Sequence, residues 1–324
     1  MKNKFVALFL IFSIILFGNF KHIAVEADNA TTSVEVGNTV PTFTSGYEPH
    51  EDPASATSTP TNVGDNVTFK AKATDANGDD WKLLICSSNS VTGVNCTATT
   101  FCSSTPVTSG SEASCSRAAQ DGDAETVEWY GFACDSAGCS AESHKTDDSG
   151  PPFHVNHRPA FSVFSDDSPK DPNVTVTWSA TASDPDSGGS DYVALYVCKT
   201  NGFSTSSGCT GGEWCHATST SNPTCNTTTP RPDGDYDSYG FVMDNHNFAS
   251  AGTAQGTNST MTVNNKAPSL TAGNIYLKDT DGSGNLALIN ENTETNGFIV
   301  TFIVNDDNSC QNISSGAGAD LHKK

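Results

Sequence analysis

Apolar and polar positions alternate at period two in several stretches of the chain, and each such stretch predicts a half-buried strand. Asn66-Val67-Thr68-Phe69-Lys70-Ala71-Lys72-Ala73 places Val67, Phe69, Ala71 and Ala73 on one face, and Asn173-Val174-Thr175-Val176-Thr177-Trp178-Ser179-Ala180 repeats the pattern. An acidic turn follows each. The strand after the turn puts Trp81, Leu83 and Ile85 on one face in the first case and Val193, Leu195 and Val197 in the second. Both of these strands end in a cysteine, Cys86 or Cys198, which the alternation directs away from the apolar face. Further on, Tyr130-Gly-Phe132 and Tyr239-Gly-Phe241 mark another strand in each copy. The expected core is therefore Trp81, Leu83, Ile85, Tyr130 and Phe132 in the first copy, and Trp178, Leu195, Val197, Tyr239 and Phe241 in the second.

Corresponding landmarks, Tyr130 with Tyr239 and Cys86 with Cys198, recur about 110 residues apart, one sandwich-domain length. His157-Arg158-Pro159 and Asn265-Lys266-Ala267-Pro268 read as stiff joints. The expected organisation is residues 39–157 as a first module, 158–267 as a second, and 268–324 as an incomplete third. A polar lead-in, 28–38, precedes them. Residues 1–27 combine Lys2 and Lys4 with an apolar run and a small-residue site at Val25-Glu26-Ala27, the pattern of a cleaved secretory signal peptide. The apolar run is shorter than the ~20 residues a spanning helix needs. After cleavage the chain is expected not to be membrane-embedded.

Eleven cysteines in an exported chain predict disulfides. Each copy carries a set of four, Cys86, Cys96, Cys102 and Cys115 against Cys198, Cys209, Cys215 and Cys225. Each set allows three connectivities, of which first-with-third and second-with-fourth is preferred here. Cys134 and Cys139 have no cysteine counterparts; the matching positions are read as Met243 and Phe248. A hairpin-tip disulfide exchanged for a sulfur–aromatic contact would leave that trace, so Cys134 is expected to bond Cys139.

The formal net charge of -21 repels nucleic acid and anionic membranes. No residues stand at the spacing of a nucleophile elbow, a zinc finger or a CxxC motif, so the expectation is a chain without catalysis and without an obligatory cofactor.

Strand, acidic turn (ATDANGDD, ATASDPDSGG), strand, then Tyr-Gly-Phe, an Asp-bearing hairpin and a closing Val-Asn before proline: at these residues the chain resembles bacterial extracellular immunoglobulin-like repeats, similar to fibronectin type III, PKD and cadherin-like modules. The resemblance implies an all-β fold of tandem immunoglobulin-like β-sandwiches, here with disulfide-braced loops. It further implies a secreted or cell-surface protein with a structural or adhesive role, as a spacer rod or in surface display, meeting an extracellular protein or glycan.

Calcium is the candidate cation, since alternating carboxylates and amides in a glycine-bearing loop supply oxygen ligands. The positions are Asp75, Asn77 and Asp79; Asp184 and Asp186; and Asp279 and Asp281. The same residue types also form ordinary turns. His154 and His157 read as solvent-facing strand-end histidines, and the Asp121-Gly-Asp123 and Asp233-Gly-Asp235 segments as tight turns. Trp129 and Trp214, if exposed, would stack on sugars, which keeps open a different reading: the accessory carbohydrate-binding region of a larger secreted hydrolase.

Overall fold

A computed structural model describes residues 37–186, 191–278 and 299–309. Residues 1–27, read above as a signal peptide, together with Asp279, Asp281 and Cys310, lie outside the described residues. Thr39–Lys324 forms one compact unit. The described chain is all strand and turn, with two β-sandwiches in succession around separate cores, and no helix among the described residues is long and apolar enough to cross a membrane.

The first alternating segment forms the strand Asn66–Thr74, whose burial alternates residue by residue. It pairs antiparallel with Glu112–Ala118 and with the short strands Thr42–Phe43 and His50–Glu51. The facing sheet is Tyr130–Cys134, Lys82–Cys86 and Thr100–Ser103. Between them Val67, Phe69, Trp81, Leu83, Ile85 and Trp129 are buried in one core. A second, separate core joins Ala160–Asp166, Thr175–Ser183 and Thr224–Thr228 to the sheet of Glu213–Ser219, Val193–Cys198, Tyr239–Asp244 and Thr257–Asn258. It is built on Phe161, Trp178, Leu195, Val197, Val242 and Met261. The strands Ser269–Lys278 and Ile299–Asn305 then pair with each other.

Phe132 and Phe241 are buried as the sequence predicts, but on the outer face of their sheets and not in these two central cores; Tyr130 and Tyr239 are half-buried on that same outer face. Gly131 and Gly240 take the core-facing places in their strands, where partners come too close for a side chain. A Cβ on Gly131 would lie 2.6 Å from Pro49, and one on Gly240 2.6 Å from the Phe164 ring. The aromatic residues on either side therefore point to the outer face, which each sandwich covers with a small hairpin. In the first, Val91–Thr92 and Asn95–Cys96 fold over Leu84, Phe132 and Cys86. In the second, Phe203 of the Phe203–Ser204 and Gly208–Cys209 hairpin stacks on Phe241 with centroids 4.9 Å apart and planes at 8°. Cys86 and Cys198 face away from the central core as the alternation requires, yet both are fully buried beneath these hairpins.

The disulfides correct the preferred connectivity. Cys86 bonds Cys96 and Cys102 bonds Cys115; Cys198 bonds Cys209 and Cys215 bonds Cys225. The reason is which face each sulfur occupies. Cys102 pairs with Ile85 in the ladder, and Cys215 with Val197, so both share the core face while Cys86 and Cys198 face outward. First-with-third pairing would have to pass through the sheet. Instead the first pair of each set tethers the outer hairpin, and the second pair links the two sheets, because Cys115 sits opposite Phe69 and Cys225 opposite Trp178 on the facing sheet.

Cys134 is disulfide-bonded to Cys139. Its counterpart is different from the one read in the sequence, because Cys134 bridges Cys139 while Met243 bridges Ala249. The second turn is one residue longer, so Phe248 occupies the place of Gly138: Asp135 N donates to the Gly138 carbonyl and Asp244 N to that of Phe248. Phe248 lies under the Arg158 guanidinium at 3.8 Å.

One buried charge belongs to the first core. Glu51 is 2% exposed and accepts from Trp129 Nε1 at 3.0 Å, Ser55 N at 2.9 Å and Ser55 Oγ at 2.6 Å. Burial pushes its carboxyl above the ordinary 4.5 despite these donors. A carboxamide has one acceptor oxygen where this site uses two, so Glu51→Gln is expected to cost about 1–3 kcal/mol in denaturant unfolding. A raised folded-state value means that this group's contribution is complete below 4.5 and is lost as pH rises through the folded value. The gap between wild type and variant is therefore expected to narrow from acidic to neutral pH.

Candidate functional site: the joint between sandwiches

The acidic turns have a definite structural use. In Asp75-Ala76-Asn77 the Asp75 Oδ1 accepts the Asn77 amide at 2.7 Å, an Asx turn that aims the Asn77 side chain back at the start of its own module. Asn77 Oδ1 there accepts Thr39 N at 2.9 Å and Thr39 Oγ1 at 2.8 Å. The arrangement recurs in the second module, where Asp184 Oδ1 accepts the Asp186 amide at 3.0 Å and Asp186 Oδ2 accepts His157 N at 2.6 Å. It recurs again beyond the second sandwich, where Asp306 Oδ1 accepts the Asn308 amide at 2.8 Å and Asn308 Oδ1 accepts Lys266 N at 2.6 Å. Each clasp ties the entry residue of a segment to the turn that follows a long strand of that segment, Asn66–Thr74, Thr175–Ser183 or Ile299–Asn305. The entry residues stand in Asn38-Thr39-Val40-Pro41, Asn156-His157-Arg158-Pro159 and Asn265-Lys266-Ala267-Pro268. Asn-x-x-Pro, followed downstream by Asp-x-Asn or Asp-x-Asp, is the sequence signal of the clasp.

These bonds take one carboxylate oxygen of Asp75 and one of Asp184, while the buried Asp75 Oδ2 has no hydrogen-bond partner. Asp75 Oδ1 also receives the Asp79 amide at 3.3 Å, so Asp75, Asn77 and Asp79 come together as a turn. Asp184 and Asp186 come together in the same way. Among the described residues no three His, Cys, Asp or Glu side chains converge as a metal site.

The middle clasp is the most elaborate. His157 is not a solvent-facing strand end: its side chain is 14% exposed, with Nδ1 at 2.6 Å from Asp186 Oδ1 and Nε2 at 3.1 Å from the Asp123 carbonyl oxygen. Asp123 is fixed in its turn by Arg117 at 2.8 Å, whose guanidinium also lies over Phe101 at 4.3 Å. Beside it, Asn156 Nδ2 donates to Asn62 Oδ1 in the first sandwich and to Asp244 Oδ2 in the second. Asp244 is 1% exposed and also accepts the His246 and Phe248 amides at 2.8 Å. Arg158 closes the other side, donating to the Ala249 carbonyl at 2.8 Å. Burial raises the Asp244 carboxyl above its ordinary range. Burial also pushes Asp184 up to about 7, with the charges of Asp186, Asp244 and Asp191 adding to the effect.

A cleft of about 400 Å³ opens at this joint, lined by Glu125, His154, Asp186, Asp191, Asn245 and His246 among others. Trp129 is fully buried against Phe69, so it offers no face to a sugar. Trp214 lies against Trp178 at 6.4 Å and donates to the Asp237 carbonyl, at the edge of the second core. The second DGD segment is not the expected tight turn: Gly234–Tyr236 is a strand paired with Met261–Val263, and Asp235 accepts the Thr262 hydroxyl across that ladder.

No family model matches the chain, and no curated protein matches it. Among solved structures, it is similar to fibronectin(III)-like modules of Clostridium thermocellum CbhA at 16% identity, covering 69% of this chain and 93% of that one with a TM-score of 0.27. A chimeric titin Z1Z2 tandem matches at 12% identity over 70% of this chain and 100% of that one, TM-score 0.22. A marsupial T cell receptor matches at 11% identity over 73% and 80%, TM-score 0.23.

Proposed function

We propose that this chain is a secreted, non-catalytic structural module array that holds its sandwiches in fixed succession at a cell surface or in the extracellular space. The observation that carries the reading is the clasp, repeated at Thr39–Asn77, His157–Asp186 and Lys266–Asn308 with the same backbone donor and the same Asx turn. A chain whose joints are each tied by the side chain of the following segment is suited to spacing and display. Disulfides in both sandwiches support an oxidising compartment. The acidic surface suits solvation there.

The clasps are built from hydrogen bonds within the protein, so the thermal midpoint is expected to be unchanged by EDTA and by added calcium; a shift on either addition would restore the cation reading. The test of the function itself is labelling of intact source cells with an antibody to the two sandwiches, together with a glycan array. Surface or culture-medium signal without glycan binding supports the structural role. Saturable binding to one glycan class would favour the accessory carbohydrate-binding reading.

A further inference from the structure

We propose that the joint between the two sandwiches is a pH-responsive latch, closed while His157 carries protons on both ring nitrogens and released when the ring loses one. The evidence is the chemistry of what the ring meets. Nδ1 faces a carboxylate oxygen of Asp186 and Nε2 faces the backbone carbonyl of Asp123, and both of these oxygens only accept. The geometry is therefore complete only with two N–H donors. One of these bonds reaches the first sandwich and the other the second, so loss of either proton leaves a lone pair against an oxygen across the joint.

The chain contains its own controls. The same clasp is made by Thr39 with Asn77 and by Lys266 with Asn308, in which the acceptor is a neutral carboxamide. Only the middle joint replaces the amide with a carboxylate and sets an imidazole opposite it. Asp186 is acceptor-only, and its pair with the ring is charge-assisted.

The other groups around the ring act in the same direction or stay fixed. From the first sandwich, the Asp123 carboxylate is held by Arg117 and by the Gln120 amide, and Glu125 and His154 line the adjoining cleft. From the second, Asp184 feels the charges of Asp186, Asp244 and Asp191, and His246 lies 3.6 Å from Asp191. Asp184 has its folded-state value raised from 3.8 to about 7, so its favourable contribution is complete below 3.8 and is lost as pH rises through about 7. Its ionisation adds a like charge beside Asp186. The joint is tight on the acidic side of neutral and loose on the alkaline side.

The test is native-state amide exchange of the full chain at pH 6.0 and 8.5, corrected for intrinsic rates and read at Thr39, His157 and Lys266 together. The His157 amide is expected to lose about tenfold in protection between the two pH values while Thr39 and Lys266 change less than about threefold. Nitrogen-15 shifts of the His157 ring at pH 6.0 are expected to show both nitrogens protonated. The double variant His157→Thr with Asp186→Asn recreates the pair found at the first joint, and it is expected to make the middle amide as indifferent to pH as the other two. Equal behaviour of all three amides in the wild type, a singly protonated ring at pH 6.0, or a pH response that survives in the double variant would each overturn the proposal.

Discussion

Trp178→Ala is expected to lower the unfolding free energy by about 3–5 kcal/mol, the range for emptying a large aromatic from a packed core. Trp178 is fully buried, lies against Trp214, and sits in the ladder opposite Cys225 of the inter-sheet disulfide. Its Nε1 has no hydrogen-bond partner. That detail separates two substitutions that a burial argument alone would rank together. Trp178→Phe keeps most of the ring contact and deletes an orphaned donor whose burial costs about 1–3 kcal/mol, so its net cost is expected to stay below about 1.5 kcal/mol. Denaturant midpoints at unchanged slope measure both. If the phenylalanine variant were as damaged as the alanine variant, the indole N–H would have a partner after all.

The second large effect is the removal of the link between sheets. Cys102→Ala with Cys115→Ala is expected to cost about 3–4 kcal/mol, combining the freed unfolded chain with lost packing at a buried site. The bonded cysteines are 13 residues apart. Cys134→Ala with Cys139→Ala, which opens a loop of sequence separation 5, is expected to cost about 2 kcal/mol on the same entropic scale. Denaturation of both double variants beside the wild type checks the order. The opposite ranking would mean that the hairpin tip, and not the inter-sheet bond, governs stability.

The strands of both sandwiches were legible because alternation at period two is a direct record of which face is buried, as at Val67, Phe69, Ala71 and Ala73. Cysteine pairing was not, because spacing carries no information on which face a sulfur occupies. The ladder between Lys82–Cys86 and Thr100–Ser103 shifts register between Ile85 and Cys86, and the equivalent ladder shifts between Val197 and Cys198. Such irregularities separate two cysteines that sequence counting treats as equivalent. The Tyr-Gly-Phe segments misled for a related reason: the large residues drew attention, while the glycine between them marks the crowded side. His157 was read as exposed because its partner, Asp186, lies in the next module. A contact across a joint leaves no local pattern, and only the recurrence of the Asn-x-x-Pro entry exposes it.

The inter-sheet disulfides also have a mechanical consequence. If the two ends of the chain are pulled apart, residues between bonded cysteines cannot contribute to extension until the bond is reduced. The Cys102–Cys115 loop, with its separation of 13, withholds about 45 Å of contour length at ~3.5 Å per residue. The Cys215–Cys225 loop, with a separation of 10, withholds about 35 Å. Each sandwich would therefore yield under load in shortened steps that lengthen on reduction, so the redox state of the surroundings would set how far this protein stretches before it breaks.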